Sequence, residues 1–218
     1  MKEKVLDVAL DIECASLRGD AAILSIAAVP FYPKKYPNPF SENVFYEVIN
    51  ATSCVLAGFH FDEETIHWWQ KQSDEAKSAL LYHEPVNIGN SLRNLDSYLT
   101  QLRNDNDAEL RLWVQGSDFD FPILKNAYKR MCPELSVPWE YWEQRDARTL
   151  ILHYVEQRYG QVEHPYDMIP SMPDDIVPGV PHNALYDAHR TAWSLSYLSS
   201  CPNILEAHTS ATTPKSSE

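Results

Sequence analysis

Two carboxylates, Asp11 and Glu13, stand two residues apart in the run Val8-Ala9-Leu10-Asp11-Ile12-Glu13. The apolar residues from Val5 to Ile12 suit a strand buried inside a sheet. Positions i and i+2 of a strand point to one face, so the two acids project side by side. Acids this close repel each other unless a proton or a cation lies between them. Acids also end strands simply because the chain is emerging into water. The pair therefore gains meaning only if later parts of the chain supply partners.

Two later stretches offer them. Trp113-Val114-Gln115-Gly116-Ser117-Asp118-Phe119-Asp120-Phe121 reads as a strand-to-helix turn, with Asp120 in the first turn of the helix. Taken alone, an N-cap at Ser117 or Asp118, with Asp120 complementing the helix dipole, explains it. Pro181-His182-Asn183-Ala184-Leu185-Tyr186-Asp187-Ala188-His189-Arg190 opens a last helix. Asp187 falls on the face opposite Leu185 and Ala188, and His182 precedes the helix within reach of Asp187's surroundings. A lone histidine in such a place is more often structural than catalytic. The eight histidines form no His-Glu-x-x-His or comparable cluster, which argues against a zinc hydrolase.

The elements that must hold these residues follow from turn chemistry and apolar spacing. A polar turn from Ser16 to Asp20 joins the first strand to a second over Ala21 to Phe31, as an antiparallel hairpin. Pro30, Pro33, Pro37 and Pro39 mark an irregular connection. Val44 to Ile49 reads as a strand on the far side of the second. Asp62 suits an N-cap for a helix carrying Ile66 and Trp69, and Ser73 for another. Ile88, Leu92, Leu95, Leu99 and Leu102 give Asn87 to Leu102 one apolar helical face, ended by an acidic loop from Asn104 to Glu109. A short strand over Leu110 to Val114 and a helix from about Phe119 to Arg130 come next. A further helix spans Arg148 to Tyr159, and a proline-rich loop Gly160 to Pro181. The last helix runs from about Asn183 to Ser199. The expected class is α/β, a mixed sheet flanked by helices, in one domain over 1–200 with a disordered tail over 201–218.

Composition sets the outer bounds. The 218 residues suit one well-packed domain, and 44% hydrophobic with 22% charged residues are ordinary for a soluble protein. No apolar run is long enough to cross a bilayer, and Met-Lys-Glu-Lys leads directly into a strand without a signal peptide. Cys14, Cys54, Cys132 and Cys201 are scattered, with no Cys-x-x-Cys pair, and read as reduced thiols of a cytoplasmic protein. The net charge of −13 argues against a general nucleic-acid coat. It leaves room for an enzyme that meets phosphates through bound cations.

Together, Asp-x-Glu on a first strand, Phe-Asp after a later one and His-Asn-Ala-Leu-x-Asp opening the last helix resemble the DEDDh family of 3′→5′ exonucleases. The resemblance covers roughly residues 5 to 199. It implies a ribonuclease H-like fold and release of nucleoside 5′-monophosphates. It also implies that Asp11, Glu13, Asp120 and Asp187 hold two divalent cations, with His182 as general base. Hard oxygen ligands suit Mg²⁺ or Mn²⁺. Two such ions about 4 Å apart can clamp the attacking and leaving oxygens of a phosphodiester. Histidine, with an unperturbed pKa near 6.5, can take a proton from water at neutral pH.

A narrower likeness lies in Thr65-Ile66-His67-Trp68-Trp69-Gln70-Lys71-Gln72-Ser73, Arg145-Asp146-Ala147-Arg148-Thr149-Leu150 and Pro181 to Leu185. These are similar to the exodeoxyribonuclease VIII-like group of phages and bacteria, some of whose relatives are described as exoribonucleases. DNA is thus the leading expected substrate. An exoribonuclease or oligonucleotide trimmer is the alternative, and an inactive nucleic-acid-binding module an alternative of another class. The family favours an asparagine near Asp120, where this chain has Ser117 or Asp118, and that departure bears on substrate contacts. Those contacts are expected from Trp69, Ser117, Arg148 and Asn183. Trp68 and Trp69 point about 100° apart on a helix, so one can stack on a terminal base, while burial of both in the core is an equal alternative. For Arg148 the plainer alternative is a salt bridge. The expected partner is single-stranded or 3′-ended DNA or RNA rather than a membrane, and a homodimer is left open.

Overall fold

The structure is a computed structural model that describes residues 4–80, 84–177 and 179–201. The apolar run at the start forms β1 (Lys4–Cys14), the middle strand of a five-stranded sheet ordered β3-β2-β1-β4-β5. The other strands are β2 (Ile23–Phe31), β3 (Phe45–Val48), β4 (Ala108–Val114) and β5 (Gln144–Asp146). The first three make an antiparallel meander, whereas β4 lies parallel to β1 and β5 parallel to β4. Parallel neighbours need a long crossover, and helices supply it. The helices are α1 (Ala51–Leu56), α2 (Glu63–Gln70), α3 (Asp74–Ala79), α4 (Ile88–Asn106), α5 (Asp120–Met131), α6 (Ala147–Tyr159) and α7 (Ala184–Ser200).

The two-residue period of β1 sorts its side chains between two cores. Leu6, Val8, Leu10, Ile12 and Cys14 join the leucine face of α4 and the inner face of α5. Ala9 faces the other way, with Ala27 and Val29 of β2, against Ala184, Ala188 and Ala192 of α7 and Ile151 of α6. Alanines on both surfaces let α7 lie low on the sheet, which carries its first turn to the end of β1. Each large side chain buried in these cores contributes roughly 1.5–3 kcal/mol against leaving it in water. Asp7, on the α7 face, is buried yet satisfied, accepting from Arg111 at 2.7 Å and from the Trp113 indole at 2.6 Å.

The hairpin, the placement of β3 and the caps at Asp62 and Ser73 stand as the sequence indicates. The expected acidic loop is shorter than its composition suggests. α4 continues to Asn106, and Asp107, left-handed at φ 47°, ends it directly before β4. α1 and β5 escape the sequence because six and three residues are too short to display a period. Of the expected tail, 202–218 lies outside the described residues. Cys14, Cys54 and Cys132 are buried free thiols and Cys201 a half-buried one. Among the described residues no helix is long and apolar enough to cross a membrane.

Candidate active site

β1 outruns its parallel neighbour. The last β4 partner is Trp113, opposite Ala9, whereas Asp11 and Glu13 continue beside Ala27 and Ser25 of β2. Both acids therefore stand at the open carboxyl end of the sheet, where parallel strands leave a crevice. A bulge between Glu13 and Cys14 then bends the strand away.

β4 delivers the third acid through the turn at Gln115-Gly116-Ser117. Gly116 sits at φ 125°, a backbone conformation that residues with side chains rarely adopt, and a Cβ there would press on the Arg148 guanidinium at 3.2 Å. Arg148 donates to the Gln115 carbonyl at 2.8 Å. Asp146, the N-cap of α6, accepts from the Thr149 amide and from the Ser117 amide, each at 2.7 Å. The turn is thus tied to α6, and α5 begins on Asp120, which is buried. The expected cap at Ser117 or Asp118 is not made. Phe119 occupies the N-cap position with no side-chain bond, because the turn answers to Asp146 instead.

The fourth acid and the histidine come from α7 and the loop before it. Gly179 takes φ 149°, and a Cβ there would lie 3.1 Å from the Tyr186 ring, so the loop passes close over α7. His182 is left-handed at φ 68°, an uncommon conformation for a residue with a side chain. Its amide donates to Asp187 Oδ2 at 2.8 Å, which holds the strained residue against the helix. Asn183 is the N-cap of α7, its Oδ1 accepting from Leu185 and Tyr186 at 2.9 and 3.4 Å. Its side-chain oxygen is therefore committed to the helix rather than aimed at a ligand.

These elements converge on one place. Glu13, His182 and Asp187 each present a ligand atom, all within 4.8 Å of one another. Burial pushes Asp11 well above the usual carboxylate range, and the charges of Asp120, Glu13 and Asp187 push it further. Glu13 rises to about 8 through burial and then through Asp187 and Asp120. Asp120 rises to about 7 through burial, against the backbone amides beside it and Arg148. Asp187 is raised by burial and held down by Arg190 and by the His182 amide. Asp187 Oδ1 is buried with no hydrogen bond, and the Arg190 guanidinium reaches it only at 3.5 Å. Crowded carboxylate oxygens, one of them orphaned, are the donor set of a hard divalent cation. The residues fit such an ion.

The two tryptophans separate as helix geometry requires. Trp69 is buried, its indole donating to the Cys14 carbonyl at 2.9 Å, and it also lines the cavity beside Glu13. Trp68 is 41% exposed and borders a cavity of about 440 Å³ lined also by Ile12, Glu13, Leu17 and Phe119. Among the described residues Arg148 forms no salt bridge; it holds a backbone carbonyl beside Asp120. Ser117 is brought to the same turn, its amide donating to Asp146. Two further contributors carry a sequence signal of their own. Asp146 has the N-cap position before α6, and Arg190 lies three residues after Asp187 on α7.

Residues 6–199 match the family described as the 3′-5′ exoribonuclease Rv2179c-like domain. An exodeoxyribonuclease of Enterobacteria phage T4 is 26% identical over 166 residues, which cover 67% of this chain and 71% of that protein. Among solved structures, E. coli exonuclease I in complex with a 5cy-dT13 oligonucleotide is similar with a TM-score of 0.58. It is 13% identical, over 96% of this chain and 44% of that one. Cell-death related nuclease 4 (CRN-4) is similar with a TM-score of 0.57 at 14% identity, over 88% of this chain and 62% of that one. The chain thus spans less than half of exonuclease I and less than two thirds of CRN-4. At these identities the likeness is one of fold, the ribonuclease H-like mixed sheet with flanking helices.

Proposed function

The chain belongs to the Rv2179c-like 3′-5′ exoribonuclease domain family, and from that premise we propose that it removes nucleotides singly from the 3′ end of single-stranded nucleic acid. The observation that carries this reading is the meeting of Glu13, His182 and Asp187 within 4.8 Å, in the shared field of Asp11 and Asp120. Water attacks the terminal phosphorus, the bond to the penultimate 3′ oxygen breaks, that oxygen takes a proton from solvent to become the new 3′ hydroxyl, and a nucleoside 5′-monophosphate leaves. His182 takes the proton from the attacking water. Asp11, Glu13, Asp120 and Asp187 would hold Mg²⁺ or Mn²⁺. Bound there, the cations supply positive charge against the attacking and leaving oxygens.

The remaining groups orient the substrate. The cavity beside Glu13 is within the size range of small-ligand sites and walled mainly by apolar side chains, which suits a terminal nucleoside. Arg148, exposed at the start of α6 near Asp120, is placed to meet a phosphate. The phage relative's name speaks for DNA and the family's description for RNA. Buried free thiols support a reducing, cytoplasmic setting.

Incubating 5′-labelled single-stranded DNA and RNA of one sequence with Mg²⁺ or Mn²⁺, and resolving products by length, tests the reading. The expected result is a ladder shortening from the 3′ end, with 5′-monophosphates released. Asp11→Ala should abolish it, and His182→Ala should lose about 10²- to 10⁴-fold in rate. Cleavage at internal positions, or no cleavage of either polymer, would overturn the proposal.

A further inference from the structure

His182 reaches the acids from a loop, so something must fix its ring, and the neighbours of that ring form a continuous stack. The Trp68 and His182 rings meet edge to face, centroids 4.7 Å apart at 81°. Trp68 in turn meets Trp69 edge to face at 5.3 Å and 82°. Trp69 is anchored by its indole hydrogen bond to the Cys14 carbonyl, one residue beyond Glu13. The stack therefore ties the histidine to the strand that carries Asp11 and Glu13. On the backbone, the bond from the His182 amide to Asp187 fixes the main chain but leaves the imidazole free to rotate. The indole of Trp68 lies between Trp69 and that ring.

Trp68 has a second neighbour. It borders the cavity of about 440 Å³ that opens beside Glu13, which Leu17 and Phe119 also line. Trp68 is 41% exposed, so part of its side chain is available to a ligand. An aromatic base entering that cavity would complete the packing around the indole and restrict its rotamers. We propose that Trp68 is a positioning residue for His182, coupling occupancy of the cavity by the 3′-terminal base to placement of the imidazole. The proposal rests on the exonuclease reading above. It assigns Trp68 a role in rate rather than in affinity alone, because a misplaced proton acceptor slows the chemical step once substrate is bound.

The experiment uses the full chain with Trp68→Ala and Trp68→Phe, with thermal melts to confirm folding. Trp68→Phe serves as the second variant should the alanine form fold poorly. The first readout needs no activity: the imidazole proton resonances of His182, assigned by their loss in His182→Gln. Wild type should show them displaced by the indole ring current, Trp68→Phe less so and Trp68→Ala not at all. The second readout is kcat and KM on single-stranded oligonucleotides ending in an ordinary or an abasic 3′ nucleotide. Trp68→Ala should lower kcat about tenfold or more with a smaller change in KM, and Trp68→Phe should restore most of it. In wild type the abasic end should lower kcat by a similar factor, and in Trp68→Ala it should add little. A Trp68→Ala variant that keeps its kcat, or one in which the two losses multiply, overturns the proposal. A wild type with the displaced resonances but no cleavage of DNA or RNA would instead sink the exonuclease reading, and the coupling with it.

Discussion

The acids at the end of β1 set the behaviour of the site before any substrate arrives. Glu13 and Asp120, at about 8 and about 7, hold protons that ordinary carboxylates have lost near pH 4. A raised pKa in the folded state means that folding is favoured while the acid is protonated. That stability is fully present below the unfolded pKa, and it is lost as pH rises through the folded one. In a chelating buffer the melting temperature should therefore fall between about pH 5 and pH 8, and added Mg²⁺ should lift it most at the alkaline end. Asp11→Asn should flatten the metal-free slope and raise stability at pH 8 by roughly 1–2 kcal/mol, since it removes one of the repelling charges. Thermal melts across pH, with and without Mg²⁺, check both. A slope unchanged in Asp11→Asn would mean that its charge does not share the site. At this scale much was legible. The acids and His182 are spelled out by residue type and order, and they meet because alternation and the α7 alanines bring them together. The choice between Trp68 and Trp69 was not legible, because sequence gives the 100° between neighbours but not which of them turns inward. That the Asn183 oxygen is taken by the amides of α7 could not be read from residue type either.

At the scale of elements, the site depends on short, polar joints more than on the long packed helices. The leucine face of α4 could be read from its period, yet it packs into the core and supplies none of the acids. β5 is Gln-Arg-Asp, too brief and polar to announce a strand, and its last residue fastens the turn that presents Asp120. Asp146 accepts two backbone amides, one capping α6 and one holding Ser117. Loss of an N-cap costs about 1 kcal/mol, and a second amide left without its partner brings the sum to roughly 2 kcal/mol. Asp146→Ala should thus lower urea stability by roughly 2 kcal/mol and also reduce kcat, because Asp120 loses its fixed turn. Ser73→Ala makes the comparison, since Ser73 likewise caps a helix, its hydroxyl oxygen accepting from the Ala76 amide at 3.1 Å. It should cost about 1 kcal/mol by the same measure. Equal losses of kcat per unit of stability in the two variants would show that Asp146 acts only as a cap.

Across the whole molecule, charge sign and charge placement tell different stories. The sequence states that 31 acids outnumber 18 lysines and arginines, but not where the basic groups go. Several are committed away from any ligand. Arg103 lies on buried Glu143, Arg111 on buried Asp7, and Arg93 on Glu134. Arg130 donates to the carbonyls of Ala57 and Gly58. Arg18 and Lys77 pair with Asp20 and Asp74. Arg148 and Arg190 remain beside the acids, the first exposed and the second 3.5 Å from Asp187. A single strand held mainly through the terminal nucleotide and one or two phosphates releases few counterions. For single strands the logarithmic salt slope is about −0.7 per phosphate neutralised, so the slope here should lie between about −0.7 and −1.4. The measurement is anisotropy of a labelled oligonucleotide with the inactive Asp11→Asn protein, over a salt series at fixed Mg²⁺. Arg148→Gln should bring the slope nearer zero by about 0.7 if that guanidinium meets a phosphate, and leave it unchanged if its bond to Gln115 is its whole role. A slope steeper than about −3 would mean that more phosphates are engaged than the basic groups at the site can neutralise. Binding would then extend along a face other than the one that carries the acids.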